Sequence, residues 1–153
     1  MNKKIFAAIA AAGLLFAGCS SSGSNTNESA AAGSSAAGDT SNTVHVESSD
    51  GGEVTATVTK DADGKVTAIE VDETTSDGES KKEAKDDYGM KEASGIKKEW
   101  YEQVQFLEDY LIKNGIDSVK LNSDGYAENE DVKSGCTINL TNIMKAIQEA
   151  DQK

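Results

Sequence analysis

From Ser20 to Asn42 the chain carries no aromatic and no large aliphatic side chain. Ser, Gly, Ala, Asn and Thr dominate these 23 residues. Such a segment cannot bury enough apolar surface to offset its own ordering entropy. It therefore splits the sequence into an apolar run ahead of it and a patterned region behind it, and any core must be built from Thr43 onward. The segment reads as a flexible low-complexity tether, with a coil end-to-end distance of roughly 25–30 Å.

Ahead of the tether, Met1-Asn2-Lys3-Lys4 is a short basic head, and Ile5 to Ala17 is free of charge. As a helix these 13 residues rise about 20 Å, short of the roughly 30 Å hydrocarbon core. They read as the apolar core of a signal peptide rather than a permanent span. Ala17-Gly18-Cys19 follows and resembles the bacterial lipobox, although Phe16 stands where Leu is usual. The resemblance implies cleavage before Cys19 and a diacylglycerol on its thiol. The competing reading is an ordinary secretory signal with an incidental Cys. The expected organisation is a signal peptide over 1–18, a linker over 19–42 and a folded domain over 43–153. The expected location is the extracytoplasmic face of the cell membrane, held by lipid.

Loss of Lys3 and Lys4 with the signal would leave 13 basic against 27 acidic residues, a net charge of -14. A chain this acidic lacks the basic patches that nucleic acid and anionic headgroups require, so no nucleic-acid partner is expected. With Cys19 assigned to lipid, Cys136 stands alone. That excludes an intrachain disulfide framework and a cysteine-based metal centre.

In the patterned region Val54, Ala56 and Val58 alternate with threonines, and Val66, Ile69 and Val71 give a second strand. Between them Lys60-Asp61-Ala62-Asp63-Gly64-Lys65 is turn chemistry, which predicts a hairpin. Asp61 and Asp63 lack the glycine and glutamate spacing of a calcium loop. Residues 73–95 are polar and too long for an inert connection. Lys97 to Asn114 predicts a helix whose face is Trp100, Val104, Leu107 and Leu111, with Ser94 as an upstream start signal and Gly115 as its cap. Glu108 is expected to face water. Ile116 to Leu121 suggests a third strand, and Asn122 to Gly125 another turn. Asn139 or Thr141 is expected to start a last helix whose inner face is Leu140 or Ile143, then Met144, Ile147 and Ala150. The fold class is α+β: a small antiparallel sheet opened by a β-hairpin, with two or three packed helices.

The segment that carries chemistry is Asp131-Val132-Lys133-Ser134-Gly135-Cys136-Thr137. Ahead of a helix, such a stretch offers hydroxyls, a glycine for close approach and free backbone N–H groups, the elements of a phosphate site. The simpler reading of Ser134 and Thr137 is as helix caps. Taken with the hairpin from Glu53 to Val71, the order of residues resembles the bacterial FMN-binding domain. That family includes flavin-carrying subunits of the sodium-pumping NADH:quinone reductase and many exported lipoproteins. Its motif is Asp, two free positions, Ser or Thr, Gly, Ala, Thr. Asp131, Ser134, Gly135 and Thr137 match it, Cys136 replaces the Ala, and Asn139 stands where a second Thr or Ser is frequent. Segments 86–94 and 98–103 are similar to stretches of Gram-positive lipoproteins of this kind. The resemblance implies FMN joined through its phosphate to Thr137 by a flavin transferase, and electron relay between a donor and an acceptor outside the membrane. Lys133, inside the motif at a free position, is a cation that could neutralise the phosphate.

Trp100, Tyr101 and Tyr88 are ring-stacking candidates, with Trp100 better placed for the core. Cys136 reads as a reactive thiolate or, more simply, a small buried residue. His45 has no sequence-near partner. No serine-nucleophile, paired-carboxylate or metal-ligand spacing supports a hydrolase. The chain is expected to be a redox carrier more than an enzyme. The alternative is a flavin-free binding or structural surface lipoprotein on the same fold. A two-lobed solute-binding protein needs more chain than this.

Overall fold

The computed structural model describes residues 38–153. Residues 1–37, which include the segment expected to be a signal peptide, Cys19 and most of the segment expected to be a tether, lie outside the described residues. The domain is α+β, with a three-stranded antiparallel sheet in the order β1-β2-β3 and helices packed on one face. Strand β1 (Thr40–Glu47) pairs with β2 (Glu53–Lys60), which pairs with β3 (Val66–Glu73). The expected hairpin is β2–β3. Asp61 organises its turn, because Oδ1 accepts from the N–H groups of Asp63 at 3.0 Å and Lys65 at 2.9 Å.

Strand β1 was not foreseen, and it begins three residues inside the segment read as tether. Cross-strand register explains why Thr40, Ser41 and Asn42 are ordered without large side chains. Their backbone completes the ladder to β2, and on the outer face the Ser41 and Thr43 hydroxyls meet those of Thr59 and Thr57, each at 2.8 Å. The inner face carries Val44, Val46, Val54, Ala56, Val58, Ile69 and Val71, all buried.

Residues 73–95 contain a short helix α1 (Lys81–Ala84) and a 3-10 turn over Lys85–Tyr88. Ser80 caps α1 by accepting the Glu83 N–H at 2.9 Å. Helix α2 (Trp100–Asn114) starts later than the pattern suggests. Lys97 takes a left-handed φ of 55°, a conformation a helix cannot continue through. Glu99 rather than Ser94 is the N-cap, in a reciprocal capping box with Glu102. Trp100, Val104, Leu107 and Leu111 form the buried face as expected.

Glu108 departs from expectation: it is 7% exposed. It lies four residues after Val104 and three before Leu111, which places it on the buried face by helical geometry. Its Oε1 accepts the Val71 N–H at 2.7 Å and the Lys82 ammonium at 3.1 Å. β3 is an edge strand, and Glu108 covers part of its unpaired backbone. Burial holds the Glu108 carboxyl above its ordinary value, against the opposing pull of Lys82 and the Val71 N–H.

Ile116 to Leu121 is not a strand. Ile116–Ser118 forms a 3-10 turn, and a single bridge joins Leu121 to Ala127. Ile116 and Val119, three residues apart, both point inward, a helical spacing rather than alternation. Helix α3 (Glu130–Lys133) is one turn long. Helix α4 (Thr141–Asp151) buries Ile143, Met144, Ala146, Ile147 and Ala150. It packs across β1 and β2, while α2 packs against β3. Among the described residues no helix is long and apolar enough to cross a membrane.

Candidate functional site

After α3 the chain turns tightly, with the N–H groups of Gly135 at 3.0 Å and Cys136 at 2.7 Å both reaching the Val132 carbonyl. Val132 and Cys136 face the core. Gly135 lies against the Phe106 ring of α2: a Cβ there would come within 2.4 Å of Cγ. The close approach that Gly135 permits is therefore to an aromatic ring of its own domain. Thr137 comes next, exposed to solvent. Its N–H donates to Gln103 Oε1 at 2.8 Å, and its hydroxyl lies 3.2 Å from the same oxygen.

Gln103 is fully buried. Its Nε2 donates to Ser94 Oγ at 3.2 Å and to the Lys98 carbonyl at 3.1 Å, and lies 3.5 Å from Met90 Sδ. One amide from α2 thus ties the 90–98 loop to the Thr137 loop. Glu99, 3% exposed, adds a second tie by accepting the N–H groups of Met90 at 2.8 Å and Lys91 at 3.0 Å. Between the two loops runs an open groove of about 480 Å³, walled by Met90, Ala93, Tyr126 and Ile138, with Thr137 and Gln103 on its lining. Tyr126 is the exposed large apolar side chain among the described residues, at 44%.

Of the four motif residues carried over from the family resemblance, only Thr137 lines this groove. Asp131 is exposed in the first turn of α3. The Ser134 hydroxyl donates to the Asp131 carbonyl at 2.7 Å, so it serves its own helix end. Lys133 pairs with Glu130 at 2.8 Å, one turn back. Helix α4 begins at Thr141, so three residues separate it from Thr137, and the Thr137 N–H is not a free helix-start donor. Asn139 does help begin α4, accepting the Thr141 N–H at 3.0 Å. Burial pushes the Cys136 thiol up to about 11, which makes it a packing residue and not a thiolate. Lys98 is the cation that the motif did not point to. Its ammonium stands 5.3 Å from the centre of the Phe106 ring and is near enough to Cys136 to oppose the burial effect.

A second, smaller cavity of about 180 Å³ shares Met90, Ile138 and Asn139 with the groove. Trp100 and Tyr88 lie on its walls, with Asn142 and Ile143 from the first turn of α4. Lys81, 5% exposed, is clamped there between Glu73 at 3.0 Å and Asp50 at 3.1 Å. Its ammonium sits 5.6 Å from the centre of the Tyr88 ring. Burial alone would weaken the Lys81 charge, but the two carboxylates outweigh it and hold its pKa above the ordinary value. One ammonium against two carboxylates leaves the cavity negative. It suits a neutral hydrogen-bonding group better than a phosphate.

No protein-family model matches this sequence, and no curated protein matches it. The chain is similar to a solution NMR structure from Clostridium thermocellum, a structural-genomics target, at 24% identity over 75% of this chain and 88% of that one, with a TM-score of 0.47. Among the described residues no group of three His, Cys, Asp or Glu side chains is placed to hold a metal ion.

Sequence reasoning missed Gln103, Glu99 and Lys98. Gln103 had a usable signal: it stands three residues after Trp100 and four before Leu107, on the apolar face of α2. A polar residue there must be hydrogen-bonded inside. Glu99 and Lys98 had none, because the helix start was placed too early.

Proposed function

We propose that this chain is a membrane-anchored extracytoplasmic FMN carrier, with the flavin phosphate esterified to Thr137. One observation carries the reading. Among the motif's hydroxyls, that of Thr137 is the one on a largely apolar groove, and a buried amide fixes it there. The residues present fit the group in part. Met90, Ala93, Tyr126 and Ile138 supply an apolar surface for a planar ring system, and Tyr126 has the exposure to stack on it. The adjoining cavity offers neutral hydrogen-bonding partners at Asn139 and Asn142.

For the phosphate the protein offers little: the Thr137 N–H is engaged, Lys133 is paired, and Lys98 is the nearby cation. Weak phosphate binding on an acidic protein is the condition under which a covalent link is needed to keep a cofactor outside the cell. FMN held there would supply one- and two-electron transfer. Donor, acceptor and a flavin transferase are the partners the reading requires. The lipid anchor on Cys19 rests on the sequence from Met1 to Cys19. The alternative, a flavin-free binding or structural lipoprotein on the same fold, draws on the engaged Thr137 N–H and on Cys136 in the usual Ala position.

Coexpression with a flavin transferase, followed by denaturing electrophoresis under ultraviolet light, tests the choice. The account expects a fluorescent parent band and none for Thr137→Ala, with the adduct mass on the peptide containing Thr137. Replacing Lys98 by Glu slows labelling more than replacing Lys133 by Glu. A dark parent band beside a fluorescent control flavoprotein supports the flavin-free reading.

A further inference from the structure

We propose that Gln103 is the positioning residue that orients the Thr137 hydroxyl for esterification, an inference that rests on the function proposed above. Its amide can face only one way. Nε2 looks at the Lys98 carbonyl at 3.1 Å, and Oε1 looks at the Thr137 N–H at 2.8 Å. A flipped amide would set acceptor against acceptor at one end and donor against donor at the other. The group 3.2 Å from the Thr137 hydroxyl is therefore a fixed acceptor. It directs the hydroxyl proton toward the domain and turns the oxygen lone pairs toward the groove.

Ser134, three residues earlier, has its proton on a main-chain carbonyl of α3 and does not line that groove. The two hydroxyls of the motif thus differ in presentation rather than in chemistry, and Gln103 makes the difference. A neutral amide takes no proton, so Gln103 orients the nucleophile without being its base.

The step is a phosphoryl transfer from a flavin dinucleotide. The Thr137 Oγ–phosphorus bond forms as the phosphoanhydride P–O bond of the donor breaks. The bonding pair leaves with a nucleoside monophosphate; as the Oγ–phosphorus bond forms, the O–H turns off Gln103 Oε1 about the Cβ–Oγ bond and its proton passes to a base of the transferase.

The test compares attachment rates, read by intact mass, for the parent, Gln103→Leu and Gln103→Glu, each first checked for folding by circular dichroism. Leu fills the space without an acceptor. Glu keeps an acceptor oxygen for Thr137 but loses the amide donors to Ser94 and Lys98. Loss of positioning predicts a drop of about a hundredfold for Gln103→Leu, with Gln103→Glu within about tenfold of the parent. A purely structural Gln103 predicts that Glu fails with Leu, and that result overturns the inference. So does a folded Gln103→Leu that labels at the parent rate. A parent that takes no flavin overturns the proposed function as well, which separates the two failures. If neither variant folds, the flavin-free parent still decides by NMR. A single Thr137 side-chain rotamer, read from its three-bond couplings, that holds the hydroxyl on Gln103 supports the inference, and averaging over rotamers overturns it.

Discussion

Helix α2 buries two polar side chains, Gln103 and Glu108, on opposite sides of Leu107, and they hold two different regions. Gln103 faces the loop of the motif, and Glu108 faces the edge of the sheet. Gln103 is neutral and uses both ends of its amide, so every atom it buries has a partner at no charge cost. Glu108 is a carboxylate with an ammonium and a backbone N–H against it, and burial still raises its pKa. The first arrangement leaves an exposed hydroxyl in one orientation beside a groove. The second covers a strand edge and ends on the ammonium of Lys82, which is 38% exposed.

Leu107→Ala calibrates the helix face that carries both. Leu107 is 0% exposed, and its truncation is expected to cost about 2–5 kcal/mol, measured by denaturant unfolding. A cost near zero would mean that the face is not packed as described. Glu108→Ala comes next, at about 1–3 kcal/mol, because it leaves the Val71 N–H without its acceptor. Lys82 is 38% exposed and can return to water, which limits the loss. The same change is expected to leave the rate of flavin attachment unaltered. A fall comparable to that of Gln103→Leu would break the contrast between the two residues.

The smallest effect is the pH dependence of stability. The folded-state pKa of Glu108 lies above its unfolded value, so the folded chain binds the extra proton. Its contribution is fully present below the unfolded pKa and is lost as pH rises through the folded one. Glu108→Gln keeps an acceptor for Val71 and cannot ionise. Its stability curve is therefore expected to be flatter through the acidic range, as chemical melts at successive pH values would show. An unchanged slope would remove Glu108 as the source.

These residues also mark where the sequence could be read. The hairpin was legible because Val54, Ala56 and Val58 alternate with threonines and Asp61-to-Lys65 is unambiguous turn chemistry. The apolar face of α2 was legible from Trp100, Val104, Leu107 and Leu111. Strand β1 was not, because its first residues are held by backbone pairing and hydroxyl contacts, which leave no hydropathy pattern. Glu108 was misplaced because its polarity was weighed above its helical position. At the motif, the sequence placed the stretch ahead of the last helix, where it lies. It could not show that Ser134 turns back on α3, that Gly135 packs on Phe106, or that a buried amide 34 residues earlier receives Thr137. Those contacts depend on how α2 crosses the loop, which no local pattern encodes.

The most direct measurement is the intact mass of the mature protein purified from the membranes of its native cell, with peptide mapping. The account predicts a chain beginning at Cys19 with a diacylglycerol on that residue and one FMN esterified at Thr137. A lipidated chain whose Thr137 peptide is unmodified, from cells in which a known covalent flavoprotein is loaded, would contradict it.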